Sequence, residues 1–261
     1  MGLFRTIAEL KGFGFLLEQT VVREIRVRYK QTLIGMSWAV IQPTVLAIIF
    51  YFVLGVFRGW TGGLREFGAI YASISLWTFF NNAVILSTTS ISGHPQLVTK
   101  VRFPRTVFPL SFIAVSAIDL MVNAVIAMAL LAIAGSSPTA NQLGCVGLSV
   151  MGTVALTAAF SILFSGLNVF YRDFRYVVPI LLQVIFFVTP VFYSLDRVPE
   201  AVRNLVMCNP MTSYVLAVQA PYLDATPPMM LSFISLAVSV AALDLSCRAF
   251  ARLNDQMADV I

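Results

Sequence analysis

Asp119 is the one ionisable residue well inside an apolar run of this chain, residues 107–135, and Asn123 follows four positions later. A carboxyl in hydrocarbon is costly, so its presence points to function or to a satisfied polar contact. Four residues apart on a helix, the two side chains share one face. A polar seam against a neighbouring helix is the expected outcome, with a proton relay as the alternative. The sole histidine, His94, lies in a connecting segment with no partner evident nearby in sequence. General-base work needs a positioned partner, so His94 reads as an ordinary hydrogen-bonding residue. Asp244 stands near the end of the last apolar run, within reach of water or of Arg248. Cys145, Cys208 and Cys247 are odd in number, scattered and without metal-type spacing, so neither a disulfide framework nor a zinc site is supported. No Gly-x-x-x-x-Gly-Lys-Ser/Thr phosphate loop occurs, and the chain does not hold ATP in that way by itself.

Two further residue classes bear on chemistry. Cations gather at the ends of the apolar runs: Arg23, Arg26, Arg28 and Lys30 before the first, Lys100, Arg102 and Arg105 before the third, and Arg172 and Arg175 between the fourth and fifth. They form no continuous patch, which makes anionic headgroups the expected partner and nucleic acid not. Aromatic side chains are plentiful (21 Phe, 8 Tyr, 3 Trp), and Tyr51, Trp77, Phe80 and Phe186 lie within runs, away from an interfacial belt. They either pack, as most buried rings do, or line a pathway on whose flat faces sugar rings could slide.

The elements that carry these residues are six apolar stretches, 36–57, 67–91, 107–135, 143–170, 176–194 and 229–247. Each is close to or above the roughly 20 residues a helix needs to cross about 30 Å of hydrocarbon. With 59% hydrophobic and 11% charged residues, an ordinary soluble domain is excluded. If the N-terminus is cytoplasmic, only Arg58, Arg65, Arg197 and Arg203 of the 17 Lys and Arg fall outside. That asymmetry follows the inner-side preference of basic residues and puts both termini in the cytoplasm. Ahead of the first run, Leu17, Val21, Ile25 and Tyr29 recur every four residues opposite Arg23, Arg26 and Lys30, the pattern of a helix lying in the interface plane. Arg28 breaks this pattern by falling near the apolar side, where it could snorkel or meet a partner. Pro190 predicts a kink near the outer end of the fifth run. Residues 195–228, divided by Pro199, Pro210, Pro221, Pro227 and Pro228, predict two short external helices that dip back into the membrane, which is tolerated only if buried in protein or lining a wet cavity.

Three motifs carry a family resemblance. The first is Arg23-Glu24-Ile25-Arg26-Val27-Arg28-Tyr29-Lys30-Gln31-Thr32 with Gly35, Trp38 and Gln42-Pro43. The second is Leu97-Val98-Thr99-Lys100-Val101-Arg102-Phe103-Pro104-Arg105 with Pro109. The third is Asn168-Val169-Phe170-Tyr171-Arg172-Asp173 followed by Tyr176-Val177-Val178-Pro179. In order and content the chain resembles the membrane subunit of a polysaccharide-exporting ABC transporter of the ABC-2 type, the kind that moves O-antigen, capsule or teichoic-acid chains.

The resemblance implies a single all-α membrane domain over 1–261: an amphipathic segment 1–35, a six-helix membrane region 36–250 and a cytoplasmic tail 251–261. It implies a homodimer in the bacterial inner membrane, paired with two separate ATPase subunits that bind the ATP and Mg this chain lacks. It implies a coupling helix after Ser92, with His94, Gln96, Leu97, Lys100 and Arg102 facing the ATPase. Arg28, Tyr29, Lys30, Arg172 and Arg175 are the expected contacts for a lipid-linked glycan's diphosphate or for the inner interface. Tyr51, Trp77, Phe80, Phe186 and Tyr193 are the expected pathway aromatics. A small lipid or drug is the alternative cargo. An intramembrane enzyme would need Asp119 and His94 to act together from different segments, and an autonomous channel would transport without ATP hydrolysis.

Overall fold

The computed structural model describes all residues except 1, 4, 5, 7, 9, 11, 31–33, 59–62, 95–102, 196–197, 255 and 258–261. Among the described residues the chain is helical and without strands. The helices are α1 (Gly14–Tyr29), α2 (Trp38–Arg58), α3 (Leu64–Thr88), α4 (Val107–Ile133), α5 (Ala140–Phe170), α6 (Phe174–Val188), α7 (Glu200–Cys208), α8 (Pro210–Leu223) and α9 (Met229–Asn254). Five of them, α2, α3, α4, α5 and α9, are long and apolar enough to cross a membrane.

Burial and polarity run together across these five. Helix α3 is the least apolar and the most buried, at 67% of its central window, whereas α2 is the most apolar and only 11% buried. A helix walled by protein can carry polar groups satisfied within the fold; one that meets lipid cannot. Accordingly α3 buries Ser73, Ser75, Ser87 and Thr88 beside Tyr71, Trp77 and Phe80, while α2 leaves Ile48, Ile49, Phe52, Val56 and Phe57 exposed. Ser73, Ser75 and Thr88 each donate to the carbonyl four residues back, which keeps their hydroxyls paired. The most extensive helix–helix contact is that of α5 with α9. Cys145 meets Ser232 at 3.3 Å and Gly166 lies against Phe250, small-residue contacts of the kind by which helices approach in lipid.

Two departures from the sequence expectation have clear causes. The fifth apolar run is not a kinked helix over 176–194: α6 stops at Val188, 15 residues or about 22 Å long. Thr189 precedes Pro190, whose ring disfavours helical backbone in the residue before it, and Thr189 is extended with ψ of 131°. The chain continues as non-helical, fully buried Thr189, Pro190 and Val191. At the other end, α9 runs on to Asn254, beyond the apolar limit at 247.

The expected pair of short helices is present as α7 and α8. Asn209 caps α8 by accepting from the Met211 N–H at 3.1 Å, with Pro210 in the first helical position. Helix α8 is almost wholly internal: Tyr214 lies against Gly152 of α5 and Tyr222 against Gly68 of α3, each so close that a Cβ on the glycine would collide with the ring. Buried in protein, α8 meets the condition for a non-spanning helix at membrane depth. The tight α4–α5 turn is closed by Gly135 (φ +66°), with Gly135 N–H to Ala132 O and Ser136 N–H to Leu131 O, a Schellman ending.

Candidate functional site

Asp119 lies 12 residues, or about 18 Å, along α4, buried at 8% exposure. The C-terminal end of α1 reaches it. Arg28 Nη1 is 3.0 Å from Asp119 Oδ2, and the Tyr29 hydroxyl donates to Oδ1 at 2.6 Å. Burial, and next the hydrogen bond to Asp119, push the Tyr29 phenol up to about 12, so it stays a neutral donor. Arg28 is therefore the partner of the intramembrane acid, and its displacement from the polar face of α1 is what brings it there.

One turn on, Asn123 extends the seam to two more helices. Its Nδ2 donates to Ala39 O at 3.0 Å and to Asp119 O at 2.8 Å, and its Oδ1 accepts from the Tyr71 hydroxyl at 2.6 Å. The Ala39 carbonyl needs such a donor because Pro43, four residues later inside α2, has no N–H to give it. Asn123 thus repairs a proline break in the helix most exposed to its surroundings. Gln42 and Asn82 close the seam at 3.5 Å, and together with Arg28, Glu24, Phe112 and Val115 they border a cleft of about 390 Å³ beneath α1.

His94 holds α1 from a second direction. Its Nδ1 lies 2.8 Å from Ser90 O; a carbonyl only accepts, so Nδ1 carries the proton and Nε2 is left to accept from the Arg23 guanidinium it touches. Arg23 also pairs with the buried Glu24 at 2.9 Å, and the imidazole stacks on Phe108 with centroids 5.1 Å apart. Gln96, Leu97, Lys100 and Arg102 lie outside the described residues.

At the same end of the molecule, Thr89, Ser92, Gly93, Asn168, Arg172 and Arg175 surround a cleft of about 320 Å³. Arg172 and Arg175 are exposed, and Arg175 sits over the Tyr176 ring, 4.6 Å from its centroid. Lys30 is exposed at the end of α1 and does not line this cleft. Close by, Arg105 donates to Asn254 O at 2.9 Å, and burial lowers its pKa. Asp244 of α9 pairs with Arg248 at 2.7 Å and accepts from the Leu3 N–H at 2.9 Å.

The five singled-out aromatics separate by depth. Trp77 and Phe80 are core residues, 7% and 1% exposed, packed with Phe164, Leu182, Met211 and Tyr214. Phe186 is half-buried and joins Trp77 (5.1 Å) to Phe50 (5.8 Å). Phe50 in turn stacks on Phe192 at 4.9 Å. Tyr51 meets Phe67 edge-on at 5.6 Å, and Tyr193 donates to Val188 O at 2.6 Å. Phe192, Tyr193, Glu66 and Gln219 border a cleft of about 280 Å³ at the opposite end of α3.

Sequence reasoning missed the amides that support this frame. Gln219 donates to Ser73 Oγ, Pro190 O and Val191 O at 2.9–3.3 Å, meeting the carbonyls freed where α6 ends. Gln142 forms a capping box with Thr139 and also donates to Ala220 O and Ala225 O at the end of α8. The Thr139–Gln142 spacing is a readable helix-start signal; Gln219 offered only its polarity inside an apolar stretch.

The sequence profile of the ABC-2 type transporter family matches residues 16–223, a stretch that holds the α1–α4 seam, the Arg172 cleft and α8. An O-antigen export system permease protein RfbA of Klebsiella pneumoniae is 28% identical over 219 residues, 82% of this chain and 84% of the relative. A second protein of the same name and organism is 29% identical over 210 residues, 79% of this chain and 80% of the relative. One from Myxococcus xanthus is 28% identical over 248 residues, 92% of this chain and 94% of the relative.

Proposed function

The chain belongs to the ABC-2 type transporter family, and from that premise we propose that it is the membrane subunit of an ATP-driven exporter of lipid-linked polysaccharide, O-antigen or capsule-like, across a bacterial inner membrane. The observation that carries this reading is the match, over 79–92% of the chain, to three permeases whose names all specify O-antigen export. Two copies form the conduit, and two ATPase subunits bring ATP and Mg. The exposed apolar faces of α2 and α6, Ile48, Phe52 and Val56 on one and Ile180, Val184 and Phe187 on the other, support a helix-lined contact with a second copy.

In this reading α6 and the buried 189–191 segment together make the sixth crossing, and α1 lies toward the cytoplasm with both termini. Segments 1–35, 36–250 and 251–261 keep their roles as interface, membrane region and tail of one domain. His94, Gln96, Leu97, Lys100 and Arg102 belong to the loop the ATPase grips. Joined to α1 through Arg23 and Glu24, His94 passes a displacement of that loop to Arg28 and Tyr29, and hence to Asp119 and α2. Binding energy at the ATPase shifts the equilibrium between two arrangements of this frame. Half-buried Tyr51, Phe186 and Tyr193 face the glycan, with Trp77 and Phe80 bracing them from behind.

The test is reconstitution of the chain with its ATPase in vesicles loaded with a lipid-linked glycan. Glycan reaching the far face only with ATP and both subunits is the expected result. Equal transport by this chain alone would overturn it.

A further inference from the structure

We infer that the apolar cavity opening between α4 and α5 is a binding site for one acyl chain of a membrane phospholipid, whose headgroup stays level with the α4–α5 turn. The inference needs only that these helices span a bilayer, so it stands apart from the identity of the cargo.

The cavity measures about 210 Å³. It follows α4 from Leu120 to Leu131 and α5 from Leu143 to Val150, over a floor that includes Leu76 of α3 and Tyr222 of α8. The floor is closed and the mouth is open: Leu76 and Tyr222 are 2% and 4% exposed, whereas Met128 and Leu143 at the rim are 62% and 54% exposed. No charged side chain lines it among the described residues. Ser75, Asn123 and Tyr222 are its polar wall residues, and each is engaged within the protein. The Ser75 hydroxyl donates to Tyr71 O at 2.8 Å and the Tyr222 hydroxyl to Ala127 O at 2.6 Å. Asn123 is held by Ala39, Asp119 and Tyr71. The wall therefore gives water too few partners to hold it.

Three arguments select the occupant. An apolar cavity stays dry, and left empty it forfeits the dispersion contacts of its lining and lowers stability in proportion to its volume. Both helices at the mouth are long and apolar enough to span a membrane, so at that depth the mouth meets hydrocarbon. Length agrees as well: from Leu120 to Leu131 the wall runs about 17 Å along α4, close to half of the roughly 30 Å hydrocarbon core, the part filled by one leaflet's chains. A second copy is the competing occupant. None of the wall residues belongs to α2 or α6, the helices whose outward apolar faces suit a second copy, which leaves lipid. Seated there, the chain completes the packing between two consecutive helices and supports α8 from the side.

The complex of the chain with its ATPase would be stripped of lipid in detergent, then titrated with palmitoyl-oleoyl-phosphatidylethanolamine and, separately, with undecaprenyl phosphate. Native mass spectrometry counts what binds. A single phospholipid per copy should bind ahead of all others. Ala124→Phe places a ring at the exposed edge of the cavity and should weaken that binding about tenfold or more, the effect of displacing only a few methylene groups. Val125→Phe alters the next residue of α4, exposed but off the cavity wall, and should leave the affinity unchanged. If Ala124→Phe does not fold, Leu143→Phe on the facing rim decides. Wild-type affinity in the cavity variant overturns the site, and so does a preference for undecaprenyl phosphate over the phospholipid. A change in copy number without loss of lipid assigns the cavity to a second copy and overturns it too. None of these outcomes touches the export reading, which reconstitution tests separately.

Discussion

Asp119 is held by two groups of unequal weight. Its ion pair with Arg28 is partly solvated, the two side chains being 29% and 12% exposed. The cost of breaking it therefore falls below the roughly 3–5 kcal/mol typical of fully buried pairs. Asp119→Ala should destabilise the purified subunit by about 2 kcal/mol. Adding Arg28→Leu should recover part of that loss, because the cation no longer faces an apolar wall. Chemical unfolding in detergent, read as a double-mutant cycle, measures the recovery. Tyr29 adds a pH signature. In the folded protein its phenol is pushed up from the ordinary tyrosine value of 10.0 to about 12. Its contribution is thus fully present below pH 10 and is lost as pH climbs from there toward 12. Tyr29→Phe should flatten the fall in stability over that interval, and an unchanged slope would detach the phenol from the seam.

Between elements, the telling contact is Asn123 with the carbonyl freed by Pro43. Interhelical hydrogen bonds in membranes average near 0.6 kcal/mol, and Asn123→Ala removes two, to Ala39 O and from Tyr71, so a loss of about 1 kcal/mol is expected. In a Pro43→Ala background the backbone N–H returns and the loss should shrink, a sign of coupling that thermal unfolding detects. The i, i+4 spacing of Asp119 and Asn123 made a seam legible in the sequence. Its partners Arg28 and Tyr29, some 90 residues away, were marked only by an arginine on the wrong side of an amphipathic pattern. Four of the apolar runs locate their helices closely, since a span must be continuously apolar. The fifth misled because hydropathy continues smoothly through Thr189–Pro190–Val191 while the backbone does not; what permits the break is Gln219, which no local pattern announces. Tight helix contacts were equally silent: Gly68 and Gly152 are read only once Tyr222 and Tyr214 lie against them. Gly152→Leu should expel the Tyr214 ring and cost about 1–3 kcal/mol, visible as early loss of monodisperse protein on heating.

At the scale of the whole molecule, α3 and α8 are enclosed by their neighbours, whereas α2 and α6 present wide apolar faces outward. If the proposed pairing of two copies uses these faces, a lysine at Ile49 or Val184 should leave the single subunit folded while shifting the purified protein toward one copy, as read by light scattering. The same contrast bears on how the chain is made. Of the five long apolar helices described, α2 is the first to emerge, the most apolar and the one that packs least on its own chain; it can partition from the translocon into lipid by itself. Helix α3, the least apolar, depends on shelter from α4, α5 and α8, all synthesised later. A nascent chain stopped after residue 90 should therefore keep α2 integrated but leave a cysteine introduced in α3 largely open to a water-soluble thiol reagent. One reaching residue 225 should integrate both helices, which makes biogenesis of the central helix a cooperative step instead of a sequential one.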